Sequence, residues 1–278
     1  MYSVDRKEAL DATISCLEDM DMYDKCQKTI IVDGRIDAVR KGWDVVQVPR
    51  VGDKFCWGRM WDAGVFTSKN EKIVYLDSDR LLPFDYLSEV FQKLKDDVFL
   101  FTSLHFQMLK VFPINECKDF LKIVRETGFT GSEMMGSLRY EARYENPIHR
   151  PGKNVMSGST AFTKKTYQRL KGVDHWYCGH GAYADTDFHC SASVGGCQFI
   201  DLQLPELHWP HDKKIGEKSL TDKELWKMST DNFIYYCVKW KIPLNLAEDL
   251  AHQSGIKKAR SYVKERVANL QQSPTDAG

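Results

Sequence analysis

No stretch of the 278-residue sequence approaches the roughly 20 consecutive apolar positions of a membrane-spanning helix. Its opening residues do not resemble a cleavable signal segment either. Net charge is also missing: Lys+Arg and Asp+Glu both total 39. Without an overall basic field there is nothing to draw in nucleic acid, and no nucleic-acid partner is expected. Cysteine occurs 8 times, at positions 16, 26, 56, 117, 178, 190, 197 and 237, but never as C-x-x-C and not at the density of a small disulfide scaffold. These absences predict reduced thiols in a soluble, cytoplasmic protein. No internal repeat and no low-complexity tract is found, which argues against a solenoid or a long linker.

What is present is alternation. Asp5 and Glu8 form a capping-box pattern, and Leu10, Ile14 and Leu17 follow at helical spacing, predicting a helix over 5–20. K-T-I-I-V (28–32) and D-V-V-Q-V (44–48) are short β-branched runs stopped by Asp33-Gly34 and Pro49, and read as strands. Trp57, Met60, Trp61, Gly64 and Val65 share one helical face within 54–67, and K-I-V-Y-L (72–76) is the next strand. Pro83 opens a helix striped by Leu87, Val90, Phe91 and Leu94, before a strand-like D-V-F-L-F-T at 97–102. This order predicts an α/β fold with a mainly parallel sheet flanked by helices.

Beyond a helix over 114–127 the pattern loosens. Residues 128–153 carry Arg139, Arg143, Arg150 and Lys153 in a long polar connection, which reads as a functional loop. V-M-S-G-S-T-A-F, a helix over 164–170, a glycine-rich stretch at 178–181 and a helix from near Ala182 come next. From Thr221 the chain reads as a C-terminal helical extension. Within it Lys257, Lys258, Arg260, Lys264 and Arg266 lie beside an apolar side of Ile256, Tyr262, Val263 and Val267, a pattern suited to peripheral membrane contact or to packing on its own domain.

Chemistry concentrates in L-D-S-D-R (76–80), where a buried-type strand ends in paired carboxylates. Ligands of parallel α/β sheets bind beyond the carboxyl ends of strands, and acids spaced i, i+2 can converge there on a divalent cation such as Mg²⁺ or Mn²⁺. A plain turn, with Asp79 capping the next helix, is the alternative.

A strand ending at Asp33, L-D-S-D-R-L-L-P, V-M-S-G-S-T-A-F-T-K-K-T-Y-Q-R-L-K-G-V-D and finally C-G-H-G-A-Y-A-D-T-D-F occur in an order that resembles GT-A fold nucleotide-sugar glycosyltransferases. The likeness is to family 2 and its galactosyltransferase-like relatives, and it covers roughly residues 2–211. It implies a catalytic domain over 1–220, with nucleotide-sugar binding in about 1–103 and acceptor binding in about 104–220, followed by the extension at 221–278. This chain departs from the family in two places. Its opening strand is reduced, and Ala184 stands where a Glu is usual.

The same resemblance implies roles. Asp33 contacts the base, and Tyr2, Arg6, Asp77 and Ser78 join it in binding the nucleotide. Asp77 and Asp79 hold Mn²⁺ (or Mg²⁺) with a downstream His, for which His208 is favoured and His211 is the alternative. Asp185 is the base that activates an acceptor hydroxyl. Asp187 is its rival and otherwise an acceptor contact, and helix capping would account for either one. Trp176, Tyr177 and Trp209 offer flat faces to sugars or pack in the core. The expected donor is a nucleotide-diphosphate sugar, UDP-linked by the same resemblance; the expected acceptor is a glycan, a lipid-linked or a protein hydroxyl. The expected reaction is inverting, with a retaining enzyme or an inactive binding protein as alternatives.

Overall fold

The computed structural model describes residues 2–3, 7–32, 41–51, 54–128, 138–141, 159–179, 183–210, 214–215, 218–219 and 222–241. Asp33, Arg6, His211, Arg143, Arg150, Lys153 and the basic segment 256–267 lie outside them, as do the side chains of Tyr2 and Arg139. None of the described helices is long and apolar enough to cross a membrane.

The first layer is a parallel sheet, β1 (Tyr2–Ser3), β2 (Thr29–Val32) and β3 (Asp44–Gln47), with β2 in the middle. Helix α1 (Lys7–Glu18) buries Leu10 and Ile14 with Ile30 and Val32 of β2, which realises the spacing read from the sequence. Helix α2 (Trp57–Thr67) then leads to β4 (Lys72–Leu76), which ends one residue before Asp77. β5 (Arg80–Leu81), α3 (Tyr86–Lys93), β6 (Val98–Phe101), β7 (Leu104–Met108), α4 (Ile114–Thr127) and β8 (Leu138–Glu141) follow. α4 stops at Gly128, whose φ of 69° is the left-handed conformation that a side chain disfavours.

β9 (Ser159–Thr163), α5 (Lys164–Arg169), α6 (Ala184–Val194), β10 (Gln198–Asp201) and β11 (Pro205–His208) build the second half. A small hairpin of β12 (Lys214–Ile215) and β13 (Lys218–Ser219) precedes α7 (Asp222–Trp240). The central sheet has the order β10-β6-β9-β4, with β10 parallel to β6 and β9 antiparallel to both β6 and β4. A third sheet, β5-β11-β7-β8, pairs β11 parallel to β7 and antiparallel to β5. The α/β alternation foreseen from sequence is present, and β9 is the strand that runs against its neighbours in the central sheet.

The core over this sheet is aromatic. Trp61 of α2 stacks on Tyr75 of β4 with centroids 3.8 Å apart, Phe162, Phe99 and Tyr167 extend the stack, and Phe188 meets it edge-on. Each such ring, once buried, contributes about 1.5–3 kcal/mol to stability. Ile234 and Tyr235 of α7 belong to the same cluster, so the C-terminal helix is part of this core.

Candidate active site

The D-S-D turn is held from three directions. Thr13 Oγ1 of α1 donates to the Ser78 carbonyl at 2.9 Å, and the Trp209 N–H donates to the Asp79 carbonyl at 2.8 Å. β5 then pairs with β11 so that Arg80 lies directly opposite His208. That register brings His208 Nε2 to 3.6 Å from Asp79 Oδ2. Tyr75 donates its hydroxyl to Asp77 Oδ1 at 3.2 Å, steering the first carboxylate at the strand end.

Arg80 turns inward behind the turn. Its Nε lies 3.4 Å from Asp79 Oδ1 and 3.8 Å from Asp77 Oδ2, and its Nη1 lies 3.0 Å from Glu206 Oε1 and 2.8 Å from His105 Nε2. Thr102 and Ser159 donate to the second Glu206 oxygen at 2.8 and 2.5 Å. Burial pushes Glu206 up, but Arg80 and the His105 hydrogen bond outweigh it and hold the carboxyl at about 2. Glu206 thus stays ionised and absorbs much of the guanidinium charge.

The turn itself is left rich in negative charge. Burial first, then the adjacent Asp79, push Asp77 up to about 8; Arg80 opposes, while Asp185 and Glu206 add to the rise. A carboxylate pair in that condition takes up either a proton or a cation. The donor set of two carboxylates and one imidazole fits Mn²⁺, with Mg²⁺ the oxygen-preferring alternative. Asp79 and His208 already stand together, although the described residues hold no closed group of three or more His, Cys, Asp or Glu ligands.

Asp185 and Asp187 part company. Two residues apart on α6, they project to different sides of the helix. Asp185 is half-buried in the first turn and accepts from the Thr186 N–H at 2.8 Å, and its charge adds to the rise at Asp77. Asp187 is 1% exposed, with Lys239 Nζ at 2.6 Å from one oxygen and Trp240 Nε1 at 2.7 Å from the other. Lys239 also reaches Asp174 at 3.4 Å, so Asp187 fastens α6 to α7.

The aromatic group expected at the sugar is largely committed to packing. Tyr177 is fully buried and Trp209 lies in the core between α1, α4 and β11, while Trp176 stacks one face on Tyr235 at 4.6 Å. Sequence reading missed Arg80, His105, Thr102, Ser159 and Glu206. One signal was available: in P-E-L-H (205–208) the strand period puts Glu206 and His208 on one face and Leu207 on the other, where it packs in the core.

No protein-family model matches the sequence, and no curated protein matches it. Solved structures do resemble it. GalNAc-T7, crystallised with UDP, GalNAc and Mn²⁺, aligns over 99% of this chain with a TM-score of 0.54 and 10% identity. The chain spans only 57% of that protein's length. S. aureus TarS 1-349 in complex with UDP-GlcNAc aligns over 95% of this chain and 70% of its own, with a TM-score of 0.50 and 8% identity. Together with a D-S-D turn directly after β4, the edge strand of the central sheet, and an acid in the first turn of α6, these alignments show that the chain has a GT-A-like glycosyltransferase fold.

Proposed function

We propose that the protein is a metal-dependent, inverting glycosyltransferase that moves a sugar from a UDP-sugar to an acceptor hydroxyl. The observation that carries this reading is the D-S-D turn directly after β4, where Asp79 stands 3.6 Å from His208, with Asp185 in the first turn of α6. One constellation then supplies a cation site and a base. UDP is the favoured donor nucleotide because GalNAc-T7 was crystallised with UDP and TarS with UDP-GlcNAc.

In this reading Asp77, Asp79 and His208 would hold Mn²⁺, which would supply Lewis-acid stabilisation for the charge that develops on a leaving diphosphate. Tyr75 fixes the orientation of Asp77, and the Ser78 backbone is held by Thr13. Arg80, anchored by Glu206, fixes the two carboxylates from behind the turn. Asp185 accepts the proton of the attacking hydroxyl, on a helix that Asp187 keeps in place. Donor binding falls within 1–103 and acceptor binding within 104–220.

The test is calorimetry of UDP binding with Mn²⁺ and then with EDTA, followed by a screen of UDP-sugars for hydrolysis. Binding that needs Mn²⁺ and slow hydrolysis of at least one donor are expected. Equal affinity in EDTA would remove the metal from the proposal.

A further inference from the structure

Cys56 and Cys178 are distant in sequence yet face each other as a single antiparallel bridge outside the sheets. The flanking bonds define the type of pair: the Trp57 N–H donates to the Tyr177 carbonyl at 3.0 Å, and the Gly179 N–H to the Phe55 carbonyl at 2.7 Å. Bonds on either side, with none between the facing residues themselves, mark a non-hydrogen-bonded pair. In such a pair the Cα atoms lie about 4.5 Å apart and the side chains emerge on the same side. A disulfide asks for roughly 4.4–6.8 Å.

The thiols confirm the approach. Both donate to the same oxygen, the His175 carbonyl, at 3.3 Å from Cys56 Sγ and 3.5 Å from Cys178 Sγ. The two segments are also tightly apposed nearby, since a Cβ on Gly58 would lie 2.8 Å from the Val173 carbonyl. Cys56 is the N-cap of α2, an 11-residue helix, where backbone N–H groups and the helix dipole favour a thiolate. Cys178 is the more accessible of the two.

We propose that Cys56 and Cys178 form a redox-active dithiol, oxidised by a peroxide to a reversible disulfide that ties the segment before α6 to the start of α2. This chemistry does not depend on the glycosyltransferase reading. Cys56 thiolate attacks hydrogen peroxide, the O–O bond breaks, hydroxide leaves and a sulfenic acid forms. Cys178 then gives up its proton, its sulfur attacks the Cys56 sulfur, and the S–O bond breaks with release of water. In total, two thiols and one peroxide yield one disulfide and two waters. A dithiol reductant reverses the step by exchange.

The other cysteines supply the contrast. The Cys178 hydrogen bond, opposed by burial and helped by the Arg59 N–H, lowers Cys56 to about 6. Burial pushes Cys16 up to about 12 and Cys117, Cys190 and Cys237 to about 11, and it also raises Cys26 and Cys197. With its place at the N-cap of α2, this downward direction favours Cys56 as the thiol that reacts first.

The experiment treats the full-length chain with stoichiometric hydrogen peroxide and maps thiols by differential alkylation and peptide mass spectrometry. A Cys56–Cys178 linkage that dithiothreitol removes, with the other six thiols still free, is expected. In Cys178→Ser, Cys56 should instead stop as a sulfenic acid trapped by dimedone, whereas Cys56→Ser should leave Cys178 untagged. Oxidation of all cysteines at one rate, a different linkage, or tagging of Cys178 in Cys56→Ser as fast as of Cys56 in the partner variant would overturn the proposal. If a variant does not fold, the wild-type map decides alone.

Discussion

Arg80 and Glu206 meet 3.0 Å apart, guanidinium to carboxylate, although 126 positions separate them in the chain and both are shielded from solvent. Removing one partner of such a pair strands the other charge. Glu206→Ala is therefore expected to cost about 3–5 kcal/mol in urea unfolding. Lys165→Ala, which breaks the exposed Lys165–Asp96 pair, should unfold like the wild type in the same experiment.

Glu206 and Asp77 set opposite responses to pH. Glu206 sits at about 2 in the folded chain against an ordinary 4.5, so its stabilisation is complete above 4.5 and is lost as pH falls from there through about 2. Acid unfolding followed by circular dichroism should shift to higher pH in Arg80→Met, which removes the main partner holding that value down.

Asp77 works in the other direction. Its folded value, about 8, lies above the ordinary 3.8, so stability present below 3.8 is lost as pH rises through about 8. Asp77→Asn cannot ionise and escapes that loss. Its melting temperature in EDTA should exceed that of the wild type at neutral pH and above, while Mn²⁺-dependent UDP binding disappears. A variant less stable than the wild type at every pH would mean that the carboxylate serves the fold.

Asp185 and Asp187 should separate cleanly. Asp185→Asn is expected to keep the wild-type melting temperature and UDP affinity while kcat falls ~10²- to 10⁴-fold. Asp187→Asn weakens the bonds from Lys239 and Trp240 and should cost about 1–3 kcal/mol in stability. Its residual activity should follow the folded fraction across a temperature series.

How much of this could be read from the chain depends on the range of the interaction. α1, α4 and β4 were legible because their apolar spacing is local, and the D-S-D turn because two acids directly after K-I-V-Y-L must meet either a cation or the solvent of a turn. β11 escaped notice: it opens with Pro205 and contains Glu206, both poor strand formers, and owes its place to pairing with β5 and β7. Arg80 drew no notice because the residues that bury it, His105 and Glu206, come from strands later in the sequence. Asp187 shared its motif with Asp185, and only Lys239 and Trp240 reveal what it grips.

β9 sits between β4 and β6, Ala161 facing Val74 on one side and Leu100 on the other. Both neighbours are synthesised well before it. Until residue 163 has left the ribosome, Ile73, Val74, Phe99 and Leu100 have no sheet to close around them, and their strand edges stay open to other chains. The portion proposed to bind the donor therefore cannot mature by itself during translation. Long-range pairing of this kind also slows folding. A polypeptide halted near residue 103 should recruit chaperones or aggregate, while one extended past Thr163 should not.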